Sequence, residues 1–464
     1  MTGQATLRHI LNPRSVALIG ASNKPGKIGN QVLQNLMGQG YEGKVFPINP
    51  SEPEVGGFTA YAKITDVQEE IDVAALAVPV RAVPGTVAEC AEQGVKGVVI
   101  YAGGFAEKDQ EGARLQQQLV DLHKRTGIRI FGPNINGIYN AAAKLNLSFN
   151  PLAREIGPVS LVTQSGAFGT VMNMHGAREG VGFGKHLALG NRCDVHEAEL
   201  LEYLAEDEHT KAVALFLESV ADPQAFERAA KEVVRRKPIV AVKIGRSEAG
   251  RDISSTNTAS DCGDDRAYDK LFQACGVIRL DTPTEMMAAL TALLRQPPFT
   301  GDRLGLVTMS GGLAAICMEA AEAFGFRFPR LGDATRAELK RVVPEFLRQT
   351  NPVDLGNAGE EMLQVSMRGM FEDPSIDGVL LILLVNAYIT DETIMGLWEA
   401  CRGHVQRTGK PTAWCLMGRD EVPALVTTLR KHGAPAYTSP DQAAYAMHVL
   451  RRYGDIRGRS AEGG

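Results

Sequence analysis

Short runs of β-branched and apolar residues alternate with longer amphipathic stretches from one end of this chain to the other, and no other feature constrains its fold as much. A strand buried on both faces reads as an unbroken apolar run, and a helix between two such strands returns the chain parallel to its start. The sequence therefore predicts an α/β protein with parallel sheets covered by helices. Strands are expected first at SVALIG (15–20), KVFPIN (44–49), VAALAVP (73–79), GVVIYAG (97–103) and RIFGPN (129–134). A second series runs VSLVTQ, HLALGN, AVALFLES, PIVAVKIG and VIRLDT, and a third LGLVTMS, VLLILLVN, TAWCLMG and PAYTS. The proline-bearing segments NLSFNPLAREIGP (146–158) and RQPPFTGD (295–302) interrupt this rhythm. They set expected domains at 1–150, 151–297 and 298–464, a division that suits 464 residues at roughly 100–200 per domain.

Charge and cysteine usage narrow the function. A net charge of −5 with no basic run argues against a nucleic-acid partner. No stretch approaches the ~18 apolar residues of a membrane span, and MTGQATLRHILNPRS has no uninterrupted apolar core or cleavage site, so a cytoplasmic protein is expected. The seven cysteines are odd in number and never form CxxC, which predicts reduced, packed thiols and no cysteine metal site. No histidine pair has HxxxH spacing, so no metal is expected.

Each block opens with a strand that enters a glycine loop and then a helix: LIGASNKPGKIG, LVTQSGAFGT and LVTMSGGLAA. Such junctions gather free N–H groups and the positive end of a helix dipole, a ready site for phosphate or carboxylate. The first loop, Gly20 to Gly29, is neither GxGxxG nor a nucleotide P-loop. The strand after it ends in Asn49-Pro50, where a dinucleotide site wants an acid for the ribose, so NAD is disfavoured. A phosphate-bearing ligand with a different ribose contact fits better.

Nine segments, in order, carry a family resemblance: NPRSVALIGASNKPGKIG, GGFAE (103–107), GPNINGI (132–138), VTQSGAFG (162–169), LGNRCDV (189–195), LFLESVAD (215–222), KIGRSEAG (243–250), VIRLDT (277–282) and NPVDLG (351–356). Together they resemble the α part of the nucleoside-diphosphate-forming acyl-CoA synthetases, the superfamily of the succinyl-CoA synthetase α subunit. The resemblance implies a Rossmann-like CoA-binding domain followed by two flavodoxin-like, doubly wound domains. Gly20, Ser22, Lys24, Lys27 and Gly29 would hold CoA phosphates, with Pro79, Gly104 and Phe105 flanking the nucleotide and Asn134 towards the thiol. A phosphate or acyl group would lie between helix N-termini at Ser165-Gly166 and at Ser310-Gly311-Gly312, with Glu218 beside it.

In that family a histidine seven residues beyond the GRSEAG turn becomes phosphorylated. Here that count, from Gly250, reaches Asn257. An amide nitrogen is delocalised and not nucleophilic, so the usual relay is expected to be absent while Glu218 and Asn257 still line the site. Of the nine histidines, His175 and His186 read as packing or surface residues, and His196 is the one stand-in to test. The complete synthetases also carry an ATP-grasp module, which these blocks do not supply. The expected role is thus a CoA- or acyl-CoA-binding α-type component of an acid–thiol ligase, in a homo- or hetero-oligomer, acting with a separate ATP-grasp chain or by direct acyl transfer to CoA. The alternative is a non-catalytic acyl-CoA sensor.

Overall fold

A computed structural model describes residues 3–152, 156–258, 261–357, 359–386 and 389–462. The first block folds as β1 (Ser15–Ile19), β2 (Lys44–Ile48), the short hairpin β3 (Glu54–Val55) and β4 (Phe58–Thr59), β5 (Val73–Leu76), β6 (Gly97–Ile100) and β7 (Arg129–Phe131). Its helices are α1 (Gly3–Leu11), α2 (Ile28–Gly38), α3 (Val83–Glu92) and α4 (Gln110–Thr126). The second comprises β8 (Ile138–Asn140), β9 (Leu145–Asn146), β10 (Val159–Thr163), β11 (Phe183–Ala188), β12 (Ala212–Leu217), β13 (Ile239–Lys243) and β14 (Ile278–Leu280). With them come α5 (Gly166–Arg178), α6 (Glu197–Glu206), α7 (Pro223–Val234), α8 (Glu248–Thr258) and α9 (Asp265–Cys275). The third has β15 (Leu304–Thr308), β16 (Val353–Asp354), β17 (Gly378–Val385), β18 (Thr412–Gly418) and β19 (Ala436–Tyr437). Around it lie α10 (Pro283–Arg295), α11 (Gly311–Ala323), α12 (Asp333–Val342), α13 (Glu360–Glu372), α14 (Asp391–Thr408), α15 (Val422–Lys431) and α16 (Pro440–Glu462).

The three sheets share one winding. The first runs β2-β1-β5-β6-β7, the second β14-β13-β12-β10-β11 extended by β8 and β9, and the third β16-β15-β17-β18-β19. Counting only the parallel strands of each block, every order is 2-1-3-4-5, the doubly wound order whose ligand crevice opens where the winding reverses, between strands 1 and 3. The apolar runs supply both faces. In β17, Leu380 and Ile382 enter one core while Val379, Leu381, Leu383 and Val385 enter the other, and β15 and β18 divide in the same way. One run of seven apolar residues thereby seals two helix layers against one sheet.

The chain divides into two compact units, one of residues 1–177 and 182–281, the other of 178–181 and 282–464. The first two expected domains therefore form one unit, and α10, placed by the sequence before the break at 297, groups with the third sheet. The cause of the first joining is local. β8, expected within 1–150, pairs antiparallel onto the free edge of β11, with Tyr139 opposite His186, and β9 pairs antiparallel onto β8. Buried Arg129 of β7 then forks onto Asp194 at 2.9 and 3.0 Å and reaches Glu199 of α6 at 2.6 Å. Among the described residues no helix is long and apolar enough to cross a membrane.

Candidate functional site

The reversal point of the first sheet lies between the ends of β1 and β5. Gly20 (φ +84°) leaves β1 so close to β5 that a Cβ on it would fall 2.4 Å from the Ala77 carbonyl oxygen. Gly29, on the first turn of α2, is tighter still, its Cβ position lying 2.0 Å from the Gly20 carbonyl oxygen. The loop between them is tied down from one side. Asn30 Nδ2 donates to the Ser22 carbonyl at 3.0 Å, Ser22 Oγ accepts from the Lys24 N–H at 3.1 Å, and Asn23 Nδ2 donates to Glu52 at 2.6 Å. Lys24 and Lys27 are left exposed, with no carboxylate within ion-pair distance among the described residues. Glu52, three residues past Asn49, is the carboxylate that holds this loop through Asn23. It also accepts from Asn49 Nδ2 at 3.3 Å.

The neighbouring strand ends complete this edge. Pro79 leads into a short turn whose Val80 side chain lies 3.8 Å from the Cβ position of Gly104 (φ +98°), and the Gly104 N–H is held by Glu107 at 2.5 Å. Asn134 (φ 63°) donates to Asn191 at 3.2 Å, and Asn191 donates to Glu107 at 2.6 Å and Gln116 at 2.9 Å. Phe105, expected beside the nucleotide, instead buries its side chain completely in the first core, because an apolar ring gains more there than at a wet edge. Only its backbone is at the turn.

The second reversal point, between β10 and β12, gathers charge. Glu218, 2% exposed, closes β12, and Thr258 at the end of α8 donates its hydroxyl to Glu218 Oε2. Gln164 Oε1 accepts from the N–H groups of Glu218 at 2.6 Å and Ser219 at 3.1 Å, spanning the reversal point. Arg192 donates to the Ser219 carbonyl and hydroxyl, each at 2.8 Å, and pairs with fully buried Glu197 at 3.2 Å. Nearby, the buried Lys243 ammonium stands 4.3 Å from the centre of the Tyr268 ring, and burial lowers its pKa. Asn257 lies within α8; its side chain is outside the described residues. Gln164, Arg192 and Thr258 were not assigned roles from the sequence, although the first two sit inside motifs it singled out.

Ser165 opens α5 by a small device: Thr163 Oγ1 donates to the Ser165 carbonyl at 2.7 Å and accepts its N–H at 3.1 Å. Beside that start is a neutral amide, Asn136, whose Cγ and Oδ1 lie 2.9 Å from a Cβ on Gly166. Asn136 Oδ1 is buried without a hydrogen-bond partner among the described residues. His186, expected to pack, is wedged beneath the same helix, with Nε2 2.3 Å from the Cβ position of Gly169, and neither ring nitrogen has a hydrogen-bond partner among the described residues. Burial lowers its pKa to about 4. His196 caps α6 without a side-chain bond, and its Nδ1 is buried with no hydrogen-bond partner among the described residues.

In the other unit, Thr308 and Ser310 repeat the same device at 2.9 Å in both directions, and Ser310 Oγ caps α11. There the neighbour of Gly311 is a carboxylate: Asp354 Oδ2 is 3.0 Å from its Cβ position, whereas Gly312 faces open space. The start of α11 therefore has a carboxylate against its first glycine, where that of α5 has a neutral amide. Among the described residues no three His, Cys, Asp or Glu side chains are grouped to hold a metal.

Fold and family models agree on the class. Residues 14–141 match the CoA binding domain and residues 156–293 the succinyl-CoA ligase like flavodoxin domain, so this is an α/β protein with a Rossmann-like CoA-binding domain and flavodoxin-like ligase domains. The chain is 34% identical, over 98% of its length, to the α subunit of acetate–CoA ligase [ADP-forming] I of Pyrococcus furiosus, and covers 100% of that subunit. It is 35% identical to acetate–CoA ligase [ADP-forming] I of Archaeoglobus fulgidus, matching over 97% of its own length but spanning 64% of that longer protein. Among solved structures, acetyl-coenzyme A synthetase 1 of Ca. Korarchaeum cryptofilum, in complex with phosphate and ADP, superposes with a TM-score of 0.90 at 30% identity over 98% of each chain. The chain belongs to the nucleoside-diphosphate-forming acyl-CoA synthetases as an α-type chain.

Proposed function

We propose that the chain is the CoA-binding component of an acid–thiol ligase, working with a separate ATP-grasp chain. CoA occupies the first reversal point, and an acyl phosphate or phosphate sits at the start of α5 beside Glu218. The observation that carries this reading is the Gly20–Gly29 loop: its two end glycines are too close to neighbouring backbone for side chains, and between them two exposed lysines are placed to meet phosphates. The relatives named as α subunits and the longer single-chain relatives support a partner chain, and their names make acetate the first acid to try. The Asp354 carboxylate lies against Gly311 at the start of α11, and the neutral amide of Asn136 takes that place at Gly166 of α5.

Charge-assisted hydrogen bonds to phosphate are worth roughly 1.5–3 kcal/mol each. Lys24→Ala combined with Lys27→Ala is therefore expected to weaken CoA at least tenfold in calorimetry; parent-like affinity would move CoA elsewhere.

Asn257 stands at the relay position in this reading. Incubation with ATP, or with acyl-CoA and phosphate, should yield no acid-labile phosphohistidine by intact mass, while Asn257→His gains one if Glu218 orients the ring. The same asparagine favours a second reading, an acyl-CoA sensor without turnover. Thioester formation from acetyl phosphate and CoA separates the two, since the sensor binds and makes none.

A further inference from the structure

The hydroxyl that Glu218 holds belongs to Thr258, the residue next to Asn257, and the pair has the geometry of an acceptor and its base. Thr258 Oγ1 donates to Glu218 Oε2 and, at 3.4 Å, to the Ser254 carbonyl one turn back in α8. Both side chains are withdrawn from solvent, Glu218 at 2% and Thr258 at 8% exposure. The end of β12 is fixed under them by Gln164. We propose that Thr258 is a phosphoryl-acceptor site, with Glu218 as its general base; this rests on reading the second reversal point as an acyl phosphate site.

A carboxylate that accepts the proton of an attacking hydroxyl is the arrangement used for phosphoryl transfer to alcohols, where little covalent work falls to the protein beyond positioning and charge. Thr258 Oγ attacks the phosphorus of the acyl phosphate as its proton passes to Glu218. The Oγ–P bond forms, the bond from phosphorus to the acyl oxygen breaks, and the carboxylate leaves with the electron pair. Glu218 then returns the proton to solvent. The acyl phosphate and the hydroxyl supply every atom. The product is a phosphate monoester of threonine, which lacks the transfer potential of a phosphohistidine and so is an end state rather than a relay intermediate. It also puts about two negative charges against a buried carboxylate, which repels the end of α8 from its seat. Acyl phosphate that accumulates without CoA would thus close the site to itself.

The test is intact-mass analysis and peptide mapping of the full chain incubated with acetyl phosphate, alongside calorimetric binding of acetyl phosphate to Glu218→Gln. The expected result is the gain of one acid-stable phosphoryl group at Thr258, slowed roughly 10²–10⁴-fold in Glu218→Gln, retained in Thr258→Ser and lost in Thr258→Val. The serine variant keeps the test valid if the valine variant fails to fold. No mass gain in the parent, an equal rate in Glu218→Gln, or mapping to another residue overturns the proposal. If acetyl phosphate binds and no phosphoryl group is gained, this inference alone fails; if it does not bind, the acyl phosphate reading fails with it.

Discussion

Gly29→Ala is expected to abolish CoA binding and to destabilise the first sheet. The added methyl group would lie 2.0 Å from the Gly20 carbonyl oxygen, 2.8 Å from its carbon and 3.1 Å from Ala21 Cα. All three are backbone atoms, so no side-chain rotation relieves the contact. Either α2 moves outward or the loop does, and each movement displaces Lys24 and Lys27, where the proposed reading puts the CoA phosphates. Overpacking of this kind costs about 1–3 kcal/mol or more, and the loss of even one good phosphate contact is worth about tenfold in affinity. Gly26→Ala is the contrast. Its φ of +82° imposes strain, but its Cβ position meets nothing within 4 Å, so it should bind CoA far better than Gly29→Ala. Calorimetry with CoA and urea unfolding of both variants check this, and parent-like CoA affinity in Gly29→Ala would place the ligand away from this loop.

Acidification should unfold the chain partly through His186. Burial holds its pKa in the fold at about 4, against an ordinary value of 6.5. Above pH 6.5 the ring is neutral in both states and contributes no pH dependence. As pH falls through that value the unfolded chain takes up a proton that the folded chain refuses, so stability drops continuously until about pH 4. The full loss is about 3 kcal/mol. His186→Leu removes both orphaned ring nitrogens along with the titration. Its unfolding midpoint should fall less than the parent's over this window, and parallel pH profiles would show that His186 is not responsible.

The sheets were legible because their strands are buried on both faces and therefore read as apolar runs, SVALI and VLLILLV alike. What escaped the sequence was short or non-local. β3 and β4 are two residues each around Gly56-Gly57, too brief for a period, and β8 and β9 owe their existence to the edge of β11, some forty residues on in the chain. At the site, Glu218 could be read from its place at the end of an apolar strand within a family motif. Thr258 could not, because its significance lies in a hydrogen bond across forty residues rather than in any spacing. Asp354 sat inside the motif NPVDLG without an assigned role until the structure set it against Gly311.

The pairing of β8 onto β11, with β9 on its outer side, also governs how this molecule can be divided. A piece ending at residue 150 would take both strands away from β11 and carry a short hairpin whose outer hydrogen-bonding groups, at Ile138 to Asn140, are built for a partner no longer there. The remainder would keep β11 as a bare sheet edge with buried, apolar Phe183 and Leu187. Each cut surface is a template for intermolecular strand addition. Cutting the chain at residue 150 is therefore expected to give two aggregation-prone pieces rather than two soluble domains, which expression of each piece alone would check.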